Sequence, residues 1–476
     1  MTLSLFRQMI ETAKEDGSLY QGVIGEGTMI PGLYGDVSLT YADYVASGRA
    51  MRQVETYVQE HVLPFYANSH TESSFTGAHM TALRNAARAE IGQICGAGPQ
   101  DAVIFAGSGA TAGINRLIAL FGVAEAQDPV VLIGPYEHHS NILPWRETKA
   151  RIIEIPEAET GGPCMAMLEQ VLVEVKDSDL VIGSFSAASN VTGIVTDTAA
   201  VTRLLKSHGA LSVWDYAGGG PYLSIDMMSG TDAQKDAIVV SPHKFPGGPG
   251  ASGLLIVNKD AVTTQKPSWP GGGTVTYVSS WGHDYSQNLE AREEAGTPNI
   301  IGDIRAALAF IVKDVIGTEE IARREARYAA IGLEGWKDNP RIQLLGTQVE
   351  HRLPIFSFLV RDDQMAVVSP LLFTMMLSDI HGVQVRGGCS CAGPYGHRLL
   401  GIGEEMSHQM RDSIRAGDTR EKPGWVRLNF SYMMDEETVH RIVKAVNDLS
   451  LGLGDHIGHY RIDAQTGQPS RVVKAA

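Results

Sequence analysis

The stretch VVSPHKFPGGPGASGLLIV, residues 239–257, decides how the chain is read. One apolar run ends at Val240, and a second runs from Leu254 to Val257. Between them stand Ser241, Pro242, His243 and Lys244, followed by prolines and glycines. Short continuous apolar runs bounded by such breakers read as strands buried on both faces. The lysine therefore lies at the exit of a buried strand. There its neighbours would hold it out of solvent, lowering the ammonium pKa so that the free amine can attack an aldehyde. The plain alternative is a surface lysine, since lysine is seldom buried.

Runs of the same kind recur at 102–107, 129–134, 151–156, 179–186, 211–217, 236–241 and 252–257, with helical periodicity between them, as at 111–122 and 197–209. This alternation predicts an α/β large domain over residues 41–298, built on a mostly parallel sheet. In such folds ligands gather at the carboxyl ends of the strands. After residue 299 the texture changes. Long apolar-periodic and charged amphipathic helices precede the strand candidates IQLLG, IFSFLV, VQVRGG and WVRLNFSYM, and a helix over 435–449 follows them. These predict a smaller α+β C-terminal domain over 299–454. Residues 1–40 are expected to form an arm packed on that smaller domain, and 455–476 a polar tail.

A chain of 476 residues exceeds what a single core usually supports. Its 43% hydrophobic and 20% charged content is ordinary for a globular protein. A net charge of −15 repels phosphodiester backbones, which argues against a nucleic-acid partner. Arg7, Glu11 and Lys14 interrupt what would have to be an apolar signal core, and no later span has membrane length, so no membrane association is expected. Four cysteines do not make a disulfide framework, and a reducing cytoplasm is the expected compartment.

Five further stretches carry candidate chemistry. FAGSGATAGINRL (105–117) places a glycine turn before a helix, which is either a phosphate site or an ordinary strand–helix turn. His138, in Tyr136-Glu137-His138-His139, can lie against an aromatic ring or shuttle a proton, or be a satisfied loop histidine. Asp215 ends the strand 211–217. A buried carboxylate needs a cation, which a protonated pyridine nitrogen would supply, unless the aspartate simply caps a turn. Arg386 precedes Cys389 and Cys391, which are a candidate nucleophile pair, half of an incomplete metal site, or inert thiols. Arg427 interrupts a strand-like run, either to pair with a core carboxylate or to grip a substrate carboxylate. No metal site is expected.

Taken in order, these stretches resemble the class V aminotransferase family of pyridoxal-phosphate enzymes, from about Tyr41 (YADYVASG) to about Val439. The likeness is greatest to the branch of group II cysteine desulfurases and selenocysteine lyases. It implies the fold type I of pyridoxal-phosphate-dependent transferases, with pyridoxal 5'-phosphate as cofactor. By the resemblance, Lys244 bonds to the cofactor aldehyde, and Ser241, His243, Ala110 and Thr111 lie at its phosphate. Asp215 matches the pyridinium partner, His138 the ring-stacking histidine, and Asn190 the asparagine near the ring hydroxyl. Thr297, in Ala295-Gly296-Thr297-Pro298-Asn299, matches a threonine that reaches the phosphate of the other subunit, implying a homodimer. Cys391 falls where the desulfurases keep their nucleophile, and Arg427 where they hold the substrate carboxylate, with Arg386 nearby. Three departures stand out: Gly218 replaces a glutamine, Cys389-Ser390-Cys391 replaces His-His-Cys, and the segment from Pro394 to Arg427 is longer than usual.

The activity so implied is release of sulfur from L-cysteine to give L-alanine, through a persulfide on Cys391. Lys244 and His138 would carry protons, and an acceptor protein is a possible partner. The alternative is another reaction of the family that does not use Cys391: a C–S lyase, selenocysteine lyase, kynureninase-like cleavage, epimerisation or transamination. A sulfur carrier without catalysis is a third class, against which Lys244 and Asp215 argue together.

Overall fold

A computed structural model of the chain describes residues 3–69, 72–346, 349, 351–420 and 422–472. They form two compact units. Unit 1 comprises residues 1–24, 47–189 and 195–321, and unit 2 comprises 25–46, 190–194 and 322–476.

Unit 1 is built on a seven-stranded sheet, and each apolar run predicted above is one of its strands. In chain order they are β1 (Asp101–Gly107), β2 (Pro129–Ile133), β3 (Arg151–Glu154), β4 (Leu180–Ser186), β5 (Leu211–Asp215), β6 (Ala237–Val240) and β7 (Gly253–Asn258). The spatial order is β1-β7-β6-β5-β4-β2-β3. Strands β2 to β6 pair in parallel, while β7 runs antiparallel to both β6 and β1. Ile104, Val131, Ile182, Val213, Val239 and Leu255 join one buried core across it. Helices α1 (Gly109–Leu120) and α2 (Thr198–Ser207) lie at the two helical patterns read from the sequence. Helix α3 (Ile300–Ile316) starts where the Asn299 side chain accepts the Gly302 amide.

The glycines after Lys244 are there for space. A Cβ on Gly248 would lie 1.9 Å from the Pro242 carbonyl oxygen, and one on Gly253 would fall 2.4–2.5 Å from the Gly109 backbone. The first close approach folds the Lys244 loop back on itself, and the second ties β7 to the turn that opens α1.

Unit 2 has a four-stranded sheet, with β8 (Ile342–Leu344), β9 (Ile355–Val360), β10 (Arg386–Gly388) and β11 (Trp425–Asn429) in the order β8-β9-β11-β10. Its core is aromatic: Trp336 meets Phe356 edge-to-face at 5.1 Å, and Phe358 and Phe430 pack beside it. The segment after Pro394 folds as two helices, α4 (Gly393–Leu399) and α5 (Glu404–Arg415), and no described residue of α5 is buried. No helix among the described residues is long and apolar enough to cross a membrane.

The structure divides the N-terminal arm that the sequence assigns to the smaller domain. Residues 1–24 belong to unit 1, where Arg7 pairs with Glu90 at 2.6 Å and Asp314 at 2.7 Å. Only 25–46 join unit 2, where Thr40 and Tyr41 pair in parallel with Val383 and Gln384. The expected polar tail contains a hairpin, with Tyr460–Ile462 paired to Pro469–Arg471, and Arg471 is anchored on Asp379.

Beside β1 lies a buried charge cluster. Glu294 accepts from Arg84 at 2.5 Å, from Arg88 at 2.7 Å and from the Phe105 amide at 2.8 Å, and Asp303 takes the other side of Arg84 at 2.6 Å. Burial opposes ionisation of Glu294, but the two arginines and the amide outweigh it and hold its pKa below the ordinary 4.5. A lowered pKa contributes stability that is complete above 4.5 and is lost as pH falls through the native value. Glu294→Ala leaves the Arg88 guanidinium without its carboxylate and Arg84 with Asp303 alone, and should cost about 3–5 kcal/mol. Urea denaturation should show this as a lower midpoint, with less additional loss on acidification than in the unsubstituted protein.

Candidate active site

The carboxyl ends of the unit 1 strands bring together the residues that the sequence singles out there. Asp215 ends β5 and is 3% exposed, and its Oδ1 accepts the Ala217 amide at 2.7 Å. Burial pushes its pKa up, against the pull of that amide and of the Lys244 charge. Lys244 closes the turn after β6 and is half-buried, less enclosed than its position at a strand exit suggests. The loop around it is a short 3-10 turn, so the side chain leaves the sheet and keeps one side open to solvent. His243, next to it, is driven down to about 4 by burial and then by the Lys244 charge, so it is neutral near pH 7.

At the opening of α1, Gly107 and Gly109 take φ of 88° and 63°, the left-handed region that favours glycine. The Ala110 amide donates to the Ser241 hydroxyl at 2.9 Å. Thr111 Oγ1 bonds to Ser140 Oγ at 2.8 Å, and the Ser140 amide donates to His138 Nδ1 at 3.1 Å. Ala110, Thr111, Ser241 and His138 are thus joined through two serines, one of which, Ser140, the sequence reading passes over. A half-buried His138 whose Nδ1 accepts carries its proton on Nε2 when neutral. Thr297 is exposed and lines a cavity of about 390 Å³ with Gly107 and Arg116.

Other side chains of unit 1 went unread in the sequence. Glu137 is buried beneath this site, accepting from the Ser186 amide at 2.8 Å and from Asn141 at 2.5 Å. Burial raises its pKa to about 7. Lys313, buried in α3, donates to the Gly220 carbonyl at 2.7 Å and to that of Leu223, and lies 5.5 Å over the Phe245 ring. It pins the chain after Asp215 beside the chain after Lys244. Glu137 is adjacent to His138 in sequence, which was its one signal, and Lys313 had none.

These residues fit pyridoxal phosphate on their own terms. The buried Asp215 carboxylate calls for a cationic partner, which a protonated pyridine nitrogen is. The glycine turn, a helix start and neutral hydroxyl and imidazole groups suit a phosphate.

Unit 2 holds a second cluster. Arg427, on β11 and 3% exposed, donates to Asp43 Oδ1 at 2.9 Å and to the Asn190 carbonyl at 3.1 Å. Arg386 donates to the other oxygen of Asp43 at 3.0 Å. Of the two readings offered for Arg427, the geometry shows the core carboxylate partner. Asn190 falls in unit 2, although its flanks belong to unit 1. Its Nδ2 donates to the Ser390 carbonyl at 2.9 Å, while its Oδ1 is buried without a partner among the described residues. Such an oxygen suits a hydroxyl donor. Ser390 and Cys391 both adopt left-handed backbone, at φ 51° and 55°, and the Cys391 side chain belongs to an exposed residue. No group of three His, Cys, Asp or Glu among the described residues is placed to hold a metal ion.

Comparison with known proteins places the chain. Residues 40–442 match the family model described as aminotransferase class-V. A probable cysteine desulfurase of Halalkalibacterium halodurans is 26% identical over 361 residues, 75% of this chain and 84% of that protein. Another, from Vibrio cholerae, is 26% identical over 419 residues, 86% of this chain and 93% of its own length. Among solved structures, the apo cysteine desulfurase of Thermococcus onnurineus superposes with a TM-score of 0.73 at 22% identity, covering 92% of this chain and 98% of that one. The cysteine desulfurase CsdA of Escherichia coli gives 0.68 at 22% identity, covering 87% and 94%. The structural likeness establishes the type I fold predicted from the sequence. The chain belongs to the class V aminotransferase family and is a pyridoxal-phosphate-dependent enzyme.

Proposed function

We propose that the enzyme is a cysteine desulfurase, taking sulfur from L-cysteine onto Cys391 and releasing L-alanine. The observation that carries this reading is Asn190. Its carbonyl receives Arg427 at 3.1 Å, and its amide group holds the Ser390 carbonyl at 2.9 Å, one residue from Cys391. A guanidinium suited to a substrate carboxylate and the turn of a solvent-facing thiol are thereby tied to one residue, the first through its backbone carbonyl and the second through its side-chain amide. The relatives named as cysteine desulfurases support the same reading.

In this proposal the roles divide by chemistry. Arg427, oriented by Asp43, grips the substrate carboxylate in a two-pronged bond that fixes the amino acid for reaction. Lys244 would hold the cofactor covalently and would hold or move a proton at the substrate carbons. His138 presents its Nε2 proton to the same end. Pyridoxal phosphate, when bound, supplies the electron sink that loosens bonds at Cα and Cβ. The Cys391 thiolate attacks the substrate sulfur and keeps it as a persulfide, and the carbon skeleton leaves as alanine.

The proposal includes a homodimer. The hairpin of Val275–Ser279 and Gly282–Tyr285 carries Trp281 at its turn, 93% exposed, with Val278 and Tyr277 alongside. Apolar surface gathered in this way calls for a protein partner, and a second copy would cover it.

Three outcomes test this reading. Cys391→Ala should keep the yellow cofactor absorbance and lose alanine release from L-cysteine by about two to four orders of magnitude, the scale of a positioned catalytic group. Turnover that survives would favour a lyase that does not use this thiol. Arg427→Lys, which keeps the charge and loses the fork, should raise KM by about tenfold or more. Trp281→Glu should shift the sedimenting species from dimer to monomer.

A further inference from the structure

We propose that a cavity beside Cys391 is the docking site for the sulfur acceptor, and that the acceptor is a small thiol carrying carboxylate groups. This rests on the desulfurase reading and names its acceptor. The cavity holds about 430 Å³, the size of a small-molecule site, and its walls come from unit 2. Cys389 and Cys391 both line it, as do Arg386, Arg420 and Lys422, and no carboxylate does. Asp43 and Asp418 engage Arg386 and Arg420 from outside that lining, while Lys422 is exposed and has no ion pair among the described residues. The third wall is the turn at Thr466–Gln468 between the two C-terminal strands.

A second observation points to a ligand. Ser390 is 8% exposed and lines the cavity, yet its Oγ has no partner among the described residues. A buried hydroxyl left over beside three cations and two thiols suits a carboxylate, as buried polar groups are ordinarily bonded. A thiol that brings its own negative charge is drawn in by this wall, whereas a cationic or neutral thiol is not.

The transfer balances without an added oxidant or reductant. The acceptor thiolate attacks the outer sulfur of the Cys391 persulfide, and a new S–S bond forms as the bond to Cys391 breaks. The electron pair of that bond returns Cys391 as its thiolate, and the acceptor departs as a persulfide with the proton still on the outer sulfur.

The test bypasses desulfuration, so its failure is separable from that of the parent reading. Full-length holoenzyme bearing Cys389→Ser is loaded at Cys391 with inorganic polysulfide, and mass spectrometry locates the added sulfur. Persulfide loss is then timed against mercaptosuccinate and 2-mercaptoethanol at matched thiolate concentration. Mercaptosuccinate should react at least about tenfold faster at low ionic strength and show saturation. High salt and Lys422→Glu with Arg420→Glu should each remove that advantage, while the single-turnover release of alanine from L-cysteine, which precedes any transfer to an acceptor, stays unchanged in the double variant. Equal rates for the two thiols, an advantage that survives the charge reversal, or failure of Cys391 to take up sulfur would each overturn the proposal.

Discussion

A parallel sheet buried on both faces permits polar chemistry only where its strands end. Strands β5 and β6 are mostly apolar, and Asp215 and the Ser241–Lys244 turn stand at their carboxyl ends. Burying the Asp215 carboxylate is costly, and that cost is offset in part by the Ala217 amide and the charge of Lys244. Everything nearby serves to keep these strand ends in register. Gly253 and Gly109 allow β7 to touch the α1 turn, Ser241 receives the Ala110 amide, and Lys313 ties the two following loops to α3.

Unit 2 follows a different electrostatic plan. Asp43 takes one arginine on each oxygen, so the two guanidinium groups of Arg386 and Arg427 share a single negative charge. The group as a whole keeps a net positive charge. Asn190 links it to the backbone of the cysteine turn, which pairs a rigid, buried cation with a strained, exposed thiol. Left-handed φ at two successive non-glycine residues costs energy, and it turns the Cys391 side chain outward.

Local sequence carried most of the scaffold. Seven short apolar runs became seven strands, and the helices starting at Gly109, Thr198 and Ile300 lie within two residues of where their periodicity begins. The placement of Lys244, Asp215 and His138 at strand ends followed from the same patterns. Cys391 and Arg427 were candidates from their residue types, but the choice among their readings came from the family resemblance, because nothing in their local spacing distinguishes a nucleophile from an inert thiol.

What the sequence determined by itself is therefore the order of strands and helices and the residues at their ends, since both depend on neighbours within a few positions. Tertiary structure alone decided which distant groups meet. Asp43 is separated by 343 residues from Arg386 and by 384 from Arg427. The Ser140 bridge from Thr111 to His138, the assignment of Asn190 to unit 2, the division of the N-terminal arm and the half-exposure of Lys244 are of the same kind. Charge pairing and burial depend on proximity in space, and a chain that returns after hundreds of residues leaves no periodic trace of the partner it will find.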